Sequence, residues 1–252
     1  MTSYDDIAIG GTDTAQPLAV EARLQLLERL VPLAGKRVID CGCGAGGYVR
    51  ALLDRGVDAF GVEYDADKVA HYHQTAPEPD RVEVGDLAAL RFASASFDVA
   101  ILNEVLEHVP DERAALREIR RILRPGGTLV VFSPNRLYPF ETHGVIRRST
   151  GAFVPLARTL LVPYVPVRLG KHVFEYVARN YWPYELRRLV TGAELSIVHT
   201  AYLWQTFENI SGTQPSWIRA LVPVLRRASS TLARIPGIRA LGVSQVIVAT
   251  RS

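Results

Sequence analysis

Apolar residues recur at helical spacing from Val20 to Val31, with Leu24, Leu27 and Leu30 on one face. Lys36-Arg37-Val38-Ile39-Asp40 then reads as a short buried strand, Gly42 to Gly47 as a tight turn, and Tyr48 to Arg55 as a helix. The alternation continues with strands over Asp58–Glu63, Val82–Val84 and Phe97–Asn103 and helices over Ala66–Gln74 and Asp111–Leu123. Asp111 suits a helix N-cap, Gly126-Gly127 follows the helix end, and Gly127–Ser133 reads as a further strand. Beyond Ser133 the rhythm breaks. Residues 136–181 hold several prolines and predict no clean strand. A helix resumes over Tyr184–Val190, and two final strands, Leu195–Tyr202 and Val243–Thr250, flank a second insert at 205–242.

Strands separated by helices imply right-handed parallel crossovers. The expected fold is therefore α/β, a doubly wound, seven-stranded, mostly parallel sheet with a helical cap from the inserts. We expect one domain over 1–252, with 136–181 and 205–242 capping an acceptor site.

The sharpest chemical signal is Val38-Ile39-Asp40-Cys41-Gly42-Cys43-Gly44-Ala45-Gly46-Gly47. Glycines between a strand and a helix permit a sharp turn and close approach of backbone to ligand. Glu63 ends the second strand, where a carboxylate can accept both hydroxyls of a ribose. The plain alternative is a tight turn beside an unrelated surface acid. Gly42, Gly44 and Gly47 also satisfy the dinucleotide spacing G-x-G-x-x-G, a weak signal alone. Asp40 argues against a pyrophosphate, which it would repel, and for a ligand that carries an ammonium group. Asp86, at the end of the third strand, offers an acceptor for an adenine amine.

These residues resemble the class I S-adenosylmethionine-dependent methyltransferases, particularly the small-molecule type that includes quinone-biosynthesis O-methyltransferases. The resemblance runs from about Arg37 to Asn135. It rests on Asp40-x-Gly42-x-Gly44-x-Gly46, Val62-Glu63-Tyr64-Asp65, Gly85-Asp86-Leu87, Phe97-Asp98-Val99 through Glu107-His108-Val109, and Leu123-Arg124-Pro125-Gly126-Gly127. It implies S-adenosylmethionine as cofactor. Asp40 with Gly42, Gly44 and Gly46 would surround the methionine moiety, Glu63 would hold the ribose, and Asp86 the adenine amine. Tyr64, Leu87 and Asn103 would complete the contacts. The resemblance says little about the acceptor.

A hydroxyl acceptor loses its proton during methyl transfer, so we expect His143 as the base, with Glu141 or Glu104 as alternatives. Glu104 follows the fourth strand, near where the methyl group should emerge. Tyr138, Glu141 and His143 follow the fifth, and ligands of open α/β sheets sit outside the C-terminal strand ends. A polar loop closing on itself is the alternative for that cluster. Glu107-His108 reads as loop support. His71 and His73 lie on a helix away from the predicted site, and no metal is expected.

The formal net charge of +3 is too small to argue for nucleic acid, and no nucleic-acid partner is expected. Cys41 and Cys43 read as reduced thiols. The polar start of the chain reads as no secretory signal, and no apolar run is long enough to span a bilayer. Together these predict a cytoplasmic protein. The inserts, however, are basic and apolar. No acid lies between Glu141 and Glu175, where Arg147, Arg148, Arg158, Arg168 and Lys171 accompany Leu156, Leu160, Leu161, Val162, Tyr164 and Val165. In the second insert Trp217, Ile218, Leu221, Val222 and Leu225 oppose Arg219, Arg226 and Arg227, with Pro223 kinking the helix. Packing on the domain is the favoured reading, and peripheral membrane contact the other. The leading expectation is O-methylation of a small or lipid-like acceptor. The alternatives are an NAD(P)-dependent oxidoreductase, although no Tyr-x-x-x-Lys-like pair is evident, and a non-catalytic cofactor-binding protein.

Overall fold

The computed structural model describes residues 17–154, 158–204, 223–224 and 227–252. The chain divides into two compact units. One holds the chain to Phe132 with Leu186–Thr200 and Ile247–Ser252; the other holds Ser133–Glu185 with Ala201–Val246.

The element order is α1 (Pro17–Leu30), β1 (Arg37–Cys41), α2 (Gly47–Leu53), β2 (Asp58–Glu63), α3 (Ala66–Thr75), β3 (Val82–Val84), β4 (Phe97–Asn103), α4 (Glu112–Ile122) and β5 (Leu123–Pro134). It continues with β6 (Val145–Arg147), β7 (Ala152–Val154), α5 (Val167–Gly170), β8 (Phe174–Tyr176), α6 (Pro183–Gly192), β9 (Leu195–Leu203) and β10 (Ser244–Arg251). Seven strands form one sheet in the order β3-β2-β1-β4-β5-β10-β9, and β1 pairs parallel with both β2 and β4. The sheet reverses its winding at β1 and β4, so the two central strand ends open onto a crevice where such sheets take ligands.

Local chemistry explains the boundaries. Asp65 caps α3 by accepting from the Asp67 and Lys68 amides, and Asp111 caps α4 by accepting from Ala114 N at 2.9 Å. Ala115, Leu116, Ile119 and Ile122 form the buried stripe of α4, while Val38, Ile39, Ala100, Ile101 and Leu102 bury β1 and β4. Such near-continuous apolar strands belong to parallel sheets covered on both faces.

Two expectations are corrected. The helix expected over Asp111–Leu123 ends at Ile122, because Leu123 turns extended and already pairs with Phe97. Strand β5 then bulges through Arg124-Pro125-Gly126-Gly127 before Thr128 resumes pairing opposite Val99. Proline without an amide donor and Gly126 at φ +76° explain the interruption. The first insert was expected to hold no clean strand; it contains the antiparallel sheet β7-β6-β8. Its strands have three residues each, too short for alternation to register in sequence. The helix expected around Trp217, Ile218, Arg219, Leu221, Val222, Leu225 and Arg226 lies outside the described residues, as does Leu156.

In the second unit Asn135 is fully buried and joins distant segments. Its Nδ2 donates to the carbonyls of Ala240 and Gly242, and its Oδ1 accepts from Leu137 N at 3.1 Å. The Gln245 side-chain amide donates to the Tyr181 carbonyl at 2.9 Å. These bonds satisfy the backbone where β5 leaves the sheet.

Candidate functional site

The site begins at the parallel ends of β1 and β2. Both amides after β1, of Gly42 and Cys43, donate to the Val62 carbonyl, so the turn curls over the end of β2. Gly42, Gly44 and Gly46 take φ of +83°, +56° and +78°, a region that L side chains disfavour. Space is equally tight. A Cβ on Gly42 would sit 2.5 Å from Val105 Cγ1, and one on Gly46 would sit 2.2 Å from Tyr72 Cδ2.

The turn orients Glu63. Its Oε2 accepts from the Gly44 amide at 2.8 Å and its Oε1 from the Asp65 amide at 3.0 Å. Two backbone donors lock the carboxylate at the strand end and leave it half-buried. Asp40 is 2% exposed, and its Oδ1 has no hydrogen-bond partner among the described residues. Burial, reinforced by the neighbouring Glu63 charge, raises its carboxyl to about 7. A buried carboxyl with an unmatched oxygen is costly unless a donor or cation arrives. Desolvation also raises the thiols of Cys41 and Cys43, which are free and buried as expected for inert reduced residues.

A second polar group gathers after β4. Glu104 has φ +57° and donates its amide to the Phe132 carbonyl on β5. The Arg23 guanidinium on α1 donates to Asn103 Oδ1 and reaches Glu104 Oε1 at 3.4 Å. Tyr48 on α2 shares a hydrogen bond with the Asn103 side chain, and burial raises its hydroxyl pKa. Glu107 is buried. Desolvation, then the charge of Glu104, holds its carboxyl well above the usual carboxylate range, and the two side chains share a hydrogen bond. Burial against Glu104 thus disfavours the charged form of Glu107. His108 is lowered, chiefly by desolvation.

The remaining candidates are placed as follows. Asp86 is exposed and uses Oδ1 to accept the Ala88 amide at 2.8 Å, and Leu87 beside it is buried. Tyr64 is 78% exposed. In the other unit Tyr138 packs its ring 5.7 Å from Phe140. Glu141, a base candidate, is 2% exposed, accepts from Asn180 Nδ2 at 2.8 Å, and is raised to about 7 by burial. His143 is half-buried, with Nδ1 3.2 Å from Thr142 Oγ1. The first unit thus brings together Asp40, Gly42, Gly44, Gly46, Glu63, Asn103 and Glu104 at adjacent strand ends. Arg23 and Tyr48 were missed by sequence reasoning. Each is an ordinary helix residue until tertiary packing sets it beside Asn103, and no local pattern marks it.

A methyltransferase domain model matches residues 39–131. Over 183 residues the chain is 32% identical to the ubiquinone biosynthesis O-methyltransferase of Paracidovorax citrulli, covering 71% of each chain. Over 104 residues it is 38% identical to a protein of Mycolicibacterium smegmatis described as an S-adenosylmethionine-dependent methyltransferase, covering 41% of this chain and 40% of that one. Against several further ubiquinone biosynthesis O-methyltransferases the chain spans about half their length. The crystal structure of an S-adenosylmethionine-dependent methyltransferase from Mesorhizobium loti shares the fold, with a TM-score of 0.59 at 20% identity, covering 96% of this chain and 100% of that one. The seven-stranded order, the glycine turn and the matched domain agree: this chain belongs to the class I S-adenosylmethionine-dependent methyltransferases.

Proposed function

We propose that the protein transfers a methyl group from S-adenosylmethionine to a hydroxyl of a small or lipid-like acceptor. The observation that carries the cofactor part is the buried Asp40 carboxyl with its unmatched oxygen beside the backbone-locked Glu63. That donor set fits a ligand with a ribose diol and an ammonium group, and it repels the pyrophosphate of a dinucleotide. Glu63 would accept the ribose hydroxyls, Asp40 the ammonium, and Arg23 a carboxylate. Asp86 with Leu87 would border the adenine, with Tyr64 exposed beside Glu63. Bound there, the cofactor supplies an electrophilic methyl group on a sulfonium.

The chain's own task is then positioning and proton removal. Glu104 is the base we assign first, because it follows β4 beside Asn103 and Arg23 orients its carboxylate. His143 is the alternative base. Glu141, buried against Asn180, serves better as a support of its loop. O-methylation is favoured by the likeness to ubiquinone biosynthesis O-methyltransferases. We further propose that 136–181 and 205–242, which leave and rejoin the sheet beyond its fifth strand, form the acceptor cap of a single working domain. Mass spectrometry of a cell extract incubated with the protein and isotopically labelled S-adenosylmethionine tests the reaction: a labelled O-methyl product supports it, and labelling only on nitrogen or carbon contradicts it.

Replacing Glu63 by alanine removes the locked acceptor. Calorimetry with S-adenosylhomocysteine should show a loss of about 1.5–3 kcal/mol in binding, the worth of hydrogen bonds to a charged group. Unchanged affinity with an intact fold refutes this role.

Asp40 carries a pH signature. Its folded pKa, about 7, lies above the ordinary aspartate value of 3.8, so between these values the native state binds a proton that the unfolded state has released. Its contribution to stability is therefore full below about 4 and declines as pH rises towards 7. Without ligand, Asp40→Asn should melt higher than wild type at pH 8, by an amount equivalent to a few kcal/mol, and the two should converge near pH 4. The same variant should bind S-adenosylhomocysteine more weakly at pH 8. Parallel melting curves across the range contradict the assignment.

For the acceptor side, Glu104→Gln should lower turnover by about 10²–10⁴-fold if Glu104 is the base, whereas His143→Ala should then change it little. The reverse pattern, in steady-state assays with the identified acceptor, transfers the role to His143.

A further inference from the structure

We propose that the stretch from Arg158 to Val173 is a docking surface for an anionic lipid bilayer. Isolated exposed apolar residues are ordinary on protein surfaces. Here they are concentrated: Leu160, Leu161, Val167, Leu169 and Val173 are exposed by 58%, 55%, 49%, 64% and 51% within one short run of chain. Tyr164 is exposed with them.

The run is held by a hydrogen-bonded scaffold. Leu161 N donates to the Pro139 carbonyl and Tyr164 Oη to the Leu137 carbonyl, both at 2.6 Å. A 3₁₀ turn at Val162–Tyr164 and the short helix α5 follow, closed by the Lys171 N to Val167 O and Val173 N to Gly170 O bonds. Arg136 reinforces the turn by donating to the Pro163 carbonyl at 2.7 Å and to the Val165 carbonyl at 3.1 Å. The exposed leucines and valines are therefore presented on ordered turns.

The charge around them selects the partner. Arg158, Arg168 and Lys171 are exposed within the same run. The backbone amide of exposed Arg148 donates a hydrogen bond to the Val173 carbonyl of that run, with exposed Arg147 beside it. No acid lies between Glu141 and Glu175, and Glu141 is buried. Apolar side chains that enter the acyl boundary while cations meet phosphates are the pattern of a surface-bound protein. Among the described residues no helix is long and apolar enough to cross a membrane, so this contact lies on the bilayer. A nucleic acid would match the cations and leave the leucines in water.

Sedimentation of the full chain with vesicles tests the proposal. The wild type should bind vesicles of phosphatidylcholine mixed with phosphatidylglycerol, bind pure phosphatidylcholine less, and release from the mixed vesicles as salt rises. Leu161→Asp/Leu169→Asp should lower the bound fraction about ten-fold or more, and aspartate tolerates the left-handed backbone at position 161. Arg168→Glu/Lys171→Glu, at exposed positions, should lower binding to the mixed vesicles while leaving the circular dichroism spectrum unchanged. Absence of wild-type binding, or equal binding by all three proteins, overturns the proposal. So does a concentration-dependent dimer that Leu161→Asp/Leu169→Asp breaks while the wild type ignores vesicles, since the face then belongs to a second copy. Affinity for S-adenosylhomocysteine, measured in parallel, reports on the methyltransferase reading separately, because vesicle binding does not depend on it.

Discussion

The burial of Asp40 beside Glu63 is the constraint around which the first unit is arranged. Parallel pairing of β1 with β2 brings the two carboxyls to neighbouring strand ends, where their charges oppose each other. The fold offsets this cost by spending two backbone amides on Glu63, and those amides are available only because the glycine turn bends over the strand end. Gly42 and Gly46 have no room for a side chain, so the turn cannot relax into a commoner conformation. Asp40 is left with an unmatched oxygen, an arrangement that a cationic ligand relieves.

The same logic extends to β4. Asn103 ends the strand adjoining β1 and Glu104 follows it, and Arg23 and Tyr48 converge on them from two helices. Beside them Glu107 is buried, and desolvation disfavours its charged form. Positioning of charge, with little reorganisation, is how such a site would favour a displacement that disperses charge.

Much of this was legible in the sequence because the signals are local. Ala59–Val62 and Val99–Leu102 announce buried strands by short apolar runs, and Asp111 announces a helix start by its capping chemistry. The glycine turn and Glu63 were legible because a tight turn and a strand-end acid keep a fixed sequence relation. Arg23 and Tyr48 were not, since their importance arises from packing between elements far apart in the chain. The β7-β6-β8 sheet was hidden for a different reason: three-residue strands leave no period to read. Exposure was the other invisible quantity. Leu160, Leu161 and Leu169 look like core residues in sequence, and only the fold shows them facing solvent.

Asp40 and Glu63 together predict a site that accepts a cationic nucleoside and rejects a pyrophosphate. Calorimetric titration of the wild-type protein with S-adenosylhomocysteine and with NAD, under identical conditions near pH 8, tests this most directly. Saturable binding of S-adenosylhomocysteine with no detectable heat from NAD is the predicted result. Binding of NAD with comparable or greater affinity would contradict the account at its centre.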